Sequence, residues 1–224
     1  MINNTEFEKK RMKRWYRPLG EVKRISVKRL KEENVKLKKK TELSDKDPLL
    51  TNIYNFRGFK EVATKELEVA KRKQETASII LLDLNKFKDI NDALGHLEGD
   101  NVLKIFTEKA LSVLRTGDVF GRWKEGDEFI IFTNSNAEIA KRVADRIKGE
   151  FEKAKKDYPK YENFIFSVSA GIAEIGEFYD EKEKTIKREN ILEIDSEILI
   201  EKASLVADKK MYEDKAKYHE MHEK

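Results

Sequence analysis

The chain has 224 residues, 39% hydrophobic and 40% charged, which is enough apolar material for one core under a heavily charged surface. It has no Cys, which excludes disulfides and thiolate metal sites. Its longest apolar runs, such as Ile79-Ile80-Leu81-Leu82, are far too short to cross a bilayer. The net charge of +4 divides unevenly: residues 1–46 carry 16 Lys/Arg against 7 Asp/Glu (+9), and the remainder carries 31 against 36 (−5).

Residues 1–46 read as a basic N-terminal helical arm or linker, with Pro18 and Gly20 interrupting it and Val22, Ile25 and Leu30 as a short apolar stripe. A solvated linker is the favoured reading. A short coiled coil pairing two chains is the next, and a nucleic-acid arm is not expected, because charge runs alone are poor evidence for one. The domain is placed at 47–224. Phe59, Ala63, Leu67 and Ala70 recur at helical spacing, and Thr76 to Asp83 reads as a buried strand. A short helical piece follows near Asn85 to Ala93, then a turn-rich stretch marked by Gly95 and Gly99. From Asp100 a helix buries Leu103, Phe106, Ala110 and Leu114. Gly117 to Trp123 and Glu128 to Thr133 predict a hairpin. Ile139, Val143, Ile147 and Phe151 mark the next helix, and Phe164 to Ala173 alternates as a strand. The charged insertion Tyr179 to Asn190 predicts a loop, and Leu199 to Met211 a closing helix. The order from residue 76 is β-α-α-β-β-α-β-α, which predicts an α+β domain with helices on the faces of its sheet. With no apolar signal core at the N-terminus, a cytoplasmic protein without a membrane span is expected.

Three carboxylates stand out. Asp83 ends the most apolar strand, and Asp127 and Glu128 sit side by side where the hairpin returns. Such residues either cap turns or hold a cation. With no His or Cys cluster beside them, oxygen-only ligation, and so Mg²⁺ or Mn²⁺, is the plausible metal chemistry.

The stretch DLNKFKDINDALGHLEGD, Asp83 to Asp100, resembles the first motif block of the GGDEF domains, the diguanylate cyclase family. EGDEF, Glu125 to Phe129, resembles its signature. DPLLTNIYNFRGF, FSVSAGIA and ADKKMYEDK extend the likeness over roughly residues 47–217. The resemblance implies a palm-like or ferredoxin-like, mainly antiparallel sheet flanked by helices. It also implies condensation of two GTP into cyclic di-GMP with release of pyrophosphate by a homodimer, each domain holding one GTP. Asp83 and Asp127, with the carbonyl of Leu84, would hold the cations, and Glu128 would support the metals and the attacking 3′-hydroxyl. Asn91 and Asp100 would read the guanine edge. The backbone around Phe87 and Lys88, with Gly126 and Lys215, would face the phosphates. RTGD, Arg115 to Asp118, has the form of the family's RxxD site, where cyclic di-GMP binds as product and inhibitor.

The pattern also departs from the family. Glu125 stands at the first Gly of the signature, and the Asp118–Glu125 interval is one residue longer than usual. Asn85 replaces a common Asp, and His219 stands about where a phosphate-binding Arg would be; an exposed residue near a frayed terminus is the expectation for it. These changes motivate an alternative: a degenerate GGDEF module that binds GTP or cyclic di-GMP as a non-catalytic regulator.

Overall fold

The computed structural model describes residues 45–222 apart from 51, 124, 125, 181 and 184. The basic arm thus lies outside the described residues except for its last two positions, as do Lys124 and Glu125 of the signature turn.

Helix α1 (Phe56–Lys73) starts at Asn55, whose side chain accepts from the Gly58 amide at 3.0 Å, and ends at Gln74 in the left-handed conformation. Strand β1 (Ser78–Leu84) is buried along its whole length. Helices α2 (Phe87–Leu94) and α3 (His96–Val113) follow, then the hairpin β2 (Val119–Arg122) and β3 (Glu128–Thr133). Helix α4 (Ala137–Ala154), β4 (Val168–Glu174), a small hairpin β5 (Glu177–Asp180) and β6 (Thr185–Arg188), and the long α5 (Ser196–His222) complete the unit. The main sheet has the order β2-β3-β1-β4, and each neighbouring pair is antiparallel. Antiparallel strands joined through helical crossovers give the expected α+β sheet. Among the described residues, no helix is long and apolar enough to cross a membrane.

The alternation of β1 sorts its neighbours. Ile80, Leu82 and Leu84 pack with Phe129 and Ile131 against α2, α3 and α4, whereas Ile79 and Leu81 pack with Ile130 and Phe132 against α1 and α5. Odd-numbered β1 residues therefore face α5, and Asp83 follows that parity. Helix α5 lies very close to the sheet. A Cβ built on Gly171 of β4 would meet the Ala207 carbonyl oxygen at 1.8 Å and the Met211 nitrogen at 2.4 Å, so only glycine admits the helix there.

Both margins of the sheet are covered in part. Beside β2, Tyr54 exchanges backbone hydrogen bonds with Phe120 and Arg122 at 3.0 and 2.8 Å. Beside β4, the Asp214 carboxylate accepts from the Ala170 amide at 2.9 Å and from Lys148 of α4 at 2.8 Å, so it ties both helical layers to the edge strand. Burial alone would raise the Asp214 pKa, but the Lys148 ammonium and the Ala170 amide outweigh it and hold the pKa below its usual value.

Four local expectations are corrected. The insertion predicted as a loop forms the β5–β6 hairpin, held by the pairs Glu177↔Arg188 to Asp180↔Thr185. Helix α3 begins at His96 and not at Asp100, which is an interior residue; Gly95 occupies the cap with φ 86°. Strand β4 begins at Val168 and not at Phe164. The closing helix continues to His222, so His219 belongs to a regular helix and not to a frayed end.

Candidate active site

The β1–β3 register sets Asp83 opposite Glu128 on the α5 side of the sheet. Asp127 precedes Glu128, and its carbonyl accepts from the Leu84 amide at 3.3 Å, closing the hairpin end onto the end of β1. Asp83 is 5% exposed, and Lys215 Nζ donates to its Oδ1 at 2.7 Å. A carboxylate this buried costs several kcal/mol unless it is paired, and Lys215 is the pair. Burial first, and then the charge of Asp83, push the Asp127 carboxyl up to about 6.

Asp83, Glu128 and Lys215 share a cleft of about 710 Å³ with Asp208, Tyr212 and His219 of α5. Positions 208, 212, 215 and 219 recur at helical spacing on one face of α5, a pattern present in the sequence but passed over for the first two.

The carboxylates of the site suit a hard cation, with the Lys215 ammonium beside Asp83, and burial together with the Asp83 charge raises the proton affinity of Asp127. Among the described residues, no three His, Cys, Asp or Glu side chains form a closed metal cage. Two carboxylates with positions left for water and phosphate are the ordinary arrangement for Mg²⁺.

Asn85 is buried and spends its amide on β4 and the residue before it. It donates to Ser167 Oγ at 3.0 Å and accepts from Ser169 Oγ at 2.8 Å, so it anchors β1 to β4. Phe87 and Lys88 open α2, directly after Lys86 in the left-handed conformation. That end of a helix presents N–H groups without intrahelical acceptors and attracts phosphate. Asn91 of α2 lies against α3: a Cβ at Gly99 would be 2.0 Å from Asn91 Oδ1, which places Asn91 beside Asp100. Gly126 has φ 108°, and its carbonyl accepts from Arg122 Nη2 at 2.5 Å.

Arg115 and Asp118 stand apart from the cleft. The Asp118 carboxylate accepts from the Arg115 amide at 2.8 Å, and the Asp118 amide donates to the Arg115 carbonyl at 3.0 Å, forming a closed turn with the Arg115 side chain exposed. The turn follows the last residue of α3, whereas Asp100 lies near its first, a separation of roughly 20 Å at ~1.5 Å per residue.

A family model described as "Diguanylate cyclase, GGDEF domain" matches residues 44–192. The chain belongs to the GGDEF family. Diguanylate cyclase DosC of Escherichia coli (strain K12) is 33% identical over 126 residues, covering 56% of this chain and 27% of DosC. Cyclic di-GMP phosphodiesterase NbdA of Pseudomonas aeruginosa is 42% identical over 85 residues, covering 38% of this chain and 11% of NbdA. This GGDEF chain thus spans about a quarter of DosC and a smaller part of NbdA. A solved structure of a microbial GGDEF domain, described for its interaction with bis-(3,5)-cyclic di-GMP, superposes with a TM-score of 0.56 at 27% identity. That match covers 77% of this chain and 94% of the other.

Proposed function

We propose that this GGDEF chain is a diguanylate cyclase, active as a homodimer, that condenses two GTP into cyclic di-GMP. The observation that carries the reading is the meeting of Asp83 and Glu128 across the β1–β3 register, beside a half-buried Asp127 and under Lys215. In each of two steps the 3′-oxygen of one GTP bonds to the α-phosphorus of the other, the Pα–O–Pβ bond breaks, and pyrophosphate leaves. Such transfer depends on positioning and charge neutralisation. Mg²⁺ or Mn²⁺, held by Asp83, Asp127 and the Leu84 carbonyl, would neutralise phosphate charge and ease loss of the hydroxyl proton. Glu128 orients the attacking hydroxyl. Lys215 and the first amides of α2, at Phe87 and Lys88, hold the β- and γ-phosphates, with Gly126 giving backbone room beside them. The Asp100 carboxylate accepts from guanine N1–H and its exocyclic amine, and Asn91 takes the neighbouring edge. Adenine offers an acceptor at N1, so this pocket rejects it by a few kcal/mol. Arg115 and Asp118 bind cyclic di-GMP as an inhibitor, Arg by stacking and forked hydrogen bonds.

Incubation of purified protein with GTP and Mg²⁺, sampled early and resolved by chromatography, tests this. Cyclic di-GMP that vanishes with Asp127→Ala is the expected result; nucleotide binding without turnover overturns it in favour of a regulatory module. Glu125 in the signature, and a relative named for phosphodiesterase activity, favour that second reading.

A further inference from the structure

The first turn of α3 carries Glu98 and Gly99, directly before Asp100; its cap, Gly95, offers no side chain, and only the Gly95 carbonyl accepts from the Glu98 and Gly99 amides, at 3.0 and 3.3 Å. A cap without a side chain leaves that turn slightly less fixed than Ser, Asn or Asp would. It is also held from a segment 63 residues away, where Tyr161 closes a short 3-10 turn, Pro159–Tyr161, after α4. The Tyr161 hydroxyl donates to Glu98 Oε2 at 2.7 Å, Lys160 Nζ meets Glu98 Oε1 at 2.5 Å, and Asn101 Nδ2 adds a weaker contact at 3.4 Å. Tyr161 is 3% exposed, and its ring packs 5.6 Å from Phe166, which itself stacks on Phe151 at 4.6 Å. The hydroxyl is therefore delivered from the rigid core. On the other side of the same turn, the Asn91 amide lies against Gly99.

We propose that Tyr161 and Lys160, acting through Glu98, are positioning residues for base selection: they fix the first turn of α3 so that Asp100 and Asn91 keep one spacing against the guanine edge. This rests on the guanine-reading role proposed above for Asp100 and Asn91. A carboxylate that accepts two hydrogen bonds from one base edge loses the pair when displaced by a fraction of an ångström, whereas a single bond tolerates the shift. Bracing therefore favours guanine, with N1–H and an amine, over hypoxanthine, with N1–H alone. The brace holds across the working pH range. The Lys160 hydrogen bond, and then Tyr161, pull Glu98 down to about 2, while burial, and then Glu98, push Tyr161 up to about 12.

The test is calorimetric binding of the α,β-methylene analogues of GTP and ITP to the full chain with Mg²⁺, which needs no turnover. Tyr161→Phe is expected to cut the guanosine-over-inosine preference about three- to tenfold, with inosine binding changed least. Lys160→Met, at a position whose side chain is largely exposed, is expected to cut it about twofold. Glu98→Gln, whose amide oxygen still accepts from Tyr161, should fall between the parent and Glu98→Ala. A purely structural role would weaken both nucleotides equally, and an equal loss or an unchanged ratio in Tyr161→Phe and Lys160→Met overturns the proposal. Asp100→Ser separates the two layers. If it abolishes the preference while the Tyr161 and Lys160 variants keep it, only the bracing fails. If Asp100→Ser keeps the preference, the guanine assignment itself fails and the bracing with it.

Discussion

Lys215 Nζ rests 2.7 Å from Asp83 Oδ1, joining residues 132 positions apart. The ammonium thus takes up the charge of a carboxylate assigned above to cation binding. Lys215 is about a third exposed and Asp83 nearly buried, so the pair stabilises less than a fully buried one. Lys215→Met in chelator is expected to cost about 1–2 kcal/mol, or roughly 3–6 °C in Tm. Saturating Mg²⁺ should narrow the difference, because a cation then replaces the missing ammonium. A gap in Tm that Mg²⁺ leaves untouched would show that no cation takes that place.

Asp127 predicts a pH dependence. Its folded pKa, about 6, lies above the ordinary value of 3.8, so the folded state binds the extra proton between those values. Stability contributed at this position is greatest below about pH 4 and is lost as pH rises through about 6. Asp127→Asn, which cannot ionise, should match the parent near pH 4 and exceed it at pH 8 by about 1–2 kcal/mol in chelator, after allowance for solvent screening. Thermal melts at the two pH values check this, and equal differences at both would refute the cause given.

Gly171 sets how near α5 approaches the sheet. Gly171→Ala places a methyl inside van der Waals contact with backbone atoms of Ala207 and Met211, which cannot swing aside. We expect about 2–4 kcal/mol of destabilisation by urea titration. Turnover should fall further than stability, because α5 carries Lys215.

Arg115→Ala is expected to relieve product inhibition with little change in initial rate, since the turn lies a helix length from Asp100 and outside the cleft lining. Superimposable inhibition curves for parent and variant would remove Arg115 from the inhibitory site.

Much of this was legible in the sequence, for local reasons. The run from Asp83 to Asp100 contains a strand end, a helix start and a turn in contiguous order, so its spacing carries its geometry. The β2–β3 hairpin was legible because its apolar runs are short and flank a Gly-containing turn. What escaped was non-local or weakly patterned. Nothing near Lys215 points to Asp83, because the pair depends on α5 folding back over β1. Glu98 and Tyr161 meet only because the turn after α4 returns to α3, which no local pattern announces. The β5–β6 hairpin was missed because EFYD and TIKR are charged and too brief to show alternation. Gly95 and Gly99 suggested a longer turn, yet Gly99 sits inside α3, where its bare Cα makes room for Asn91.

The covered margins have a consequence for how two copies could meet. Tyr54 occupies backbone groups along the outer rim of β2, and Asp214 occupies one on β4. A second molecule therefore finds no open ladder at those points on which to extend the sheet into a continuous ribbon. Copies that pack side by side there must do so through side chains and loops, which discourages runaway polymerisation.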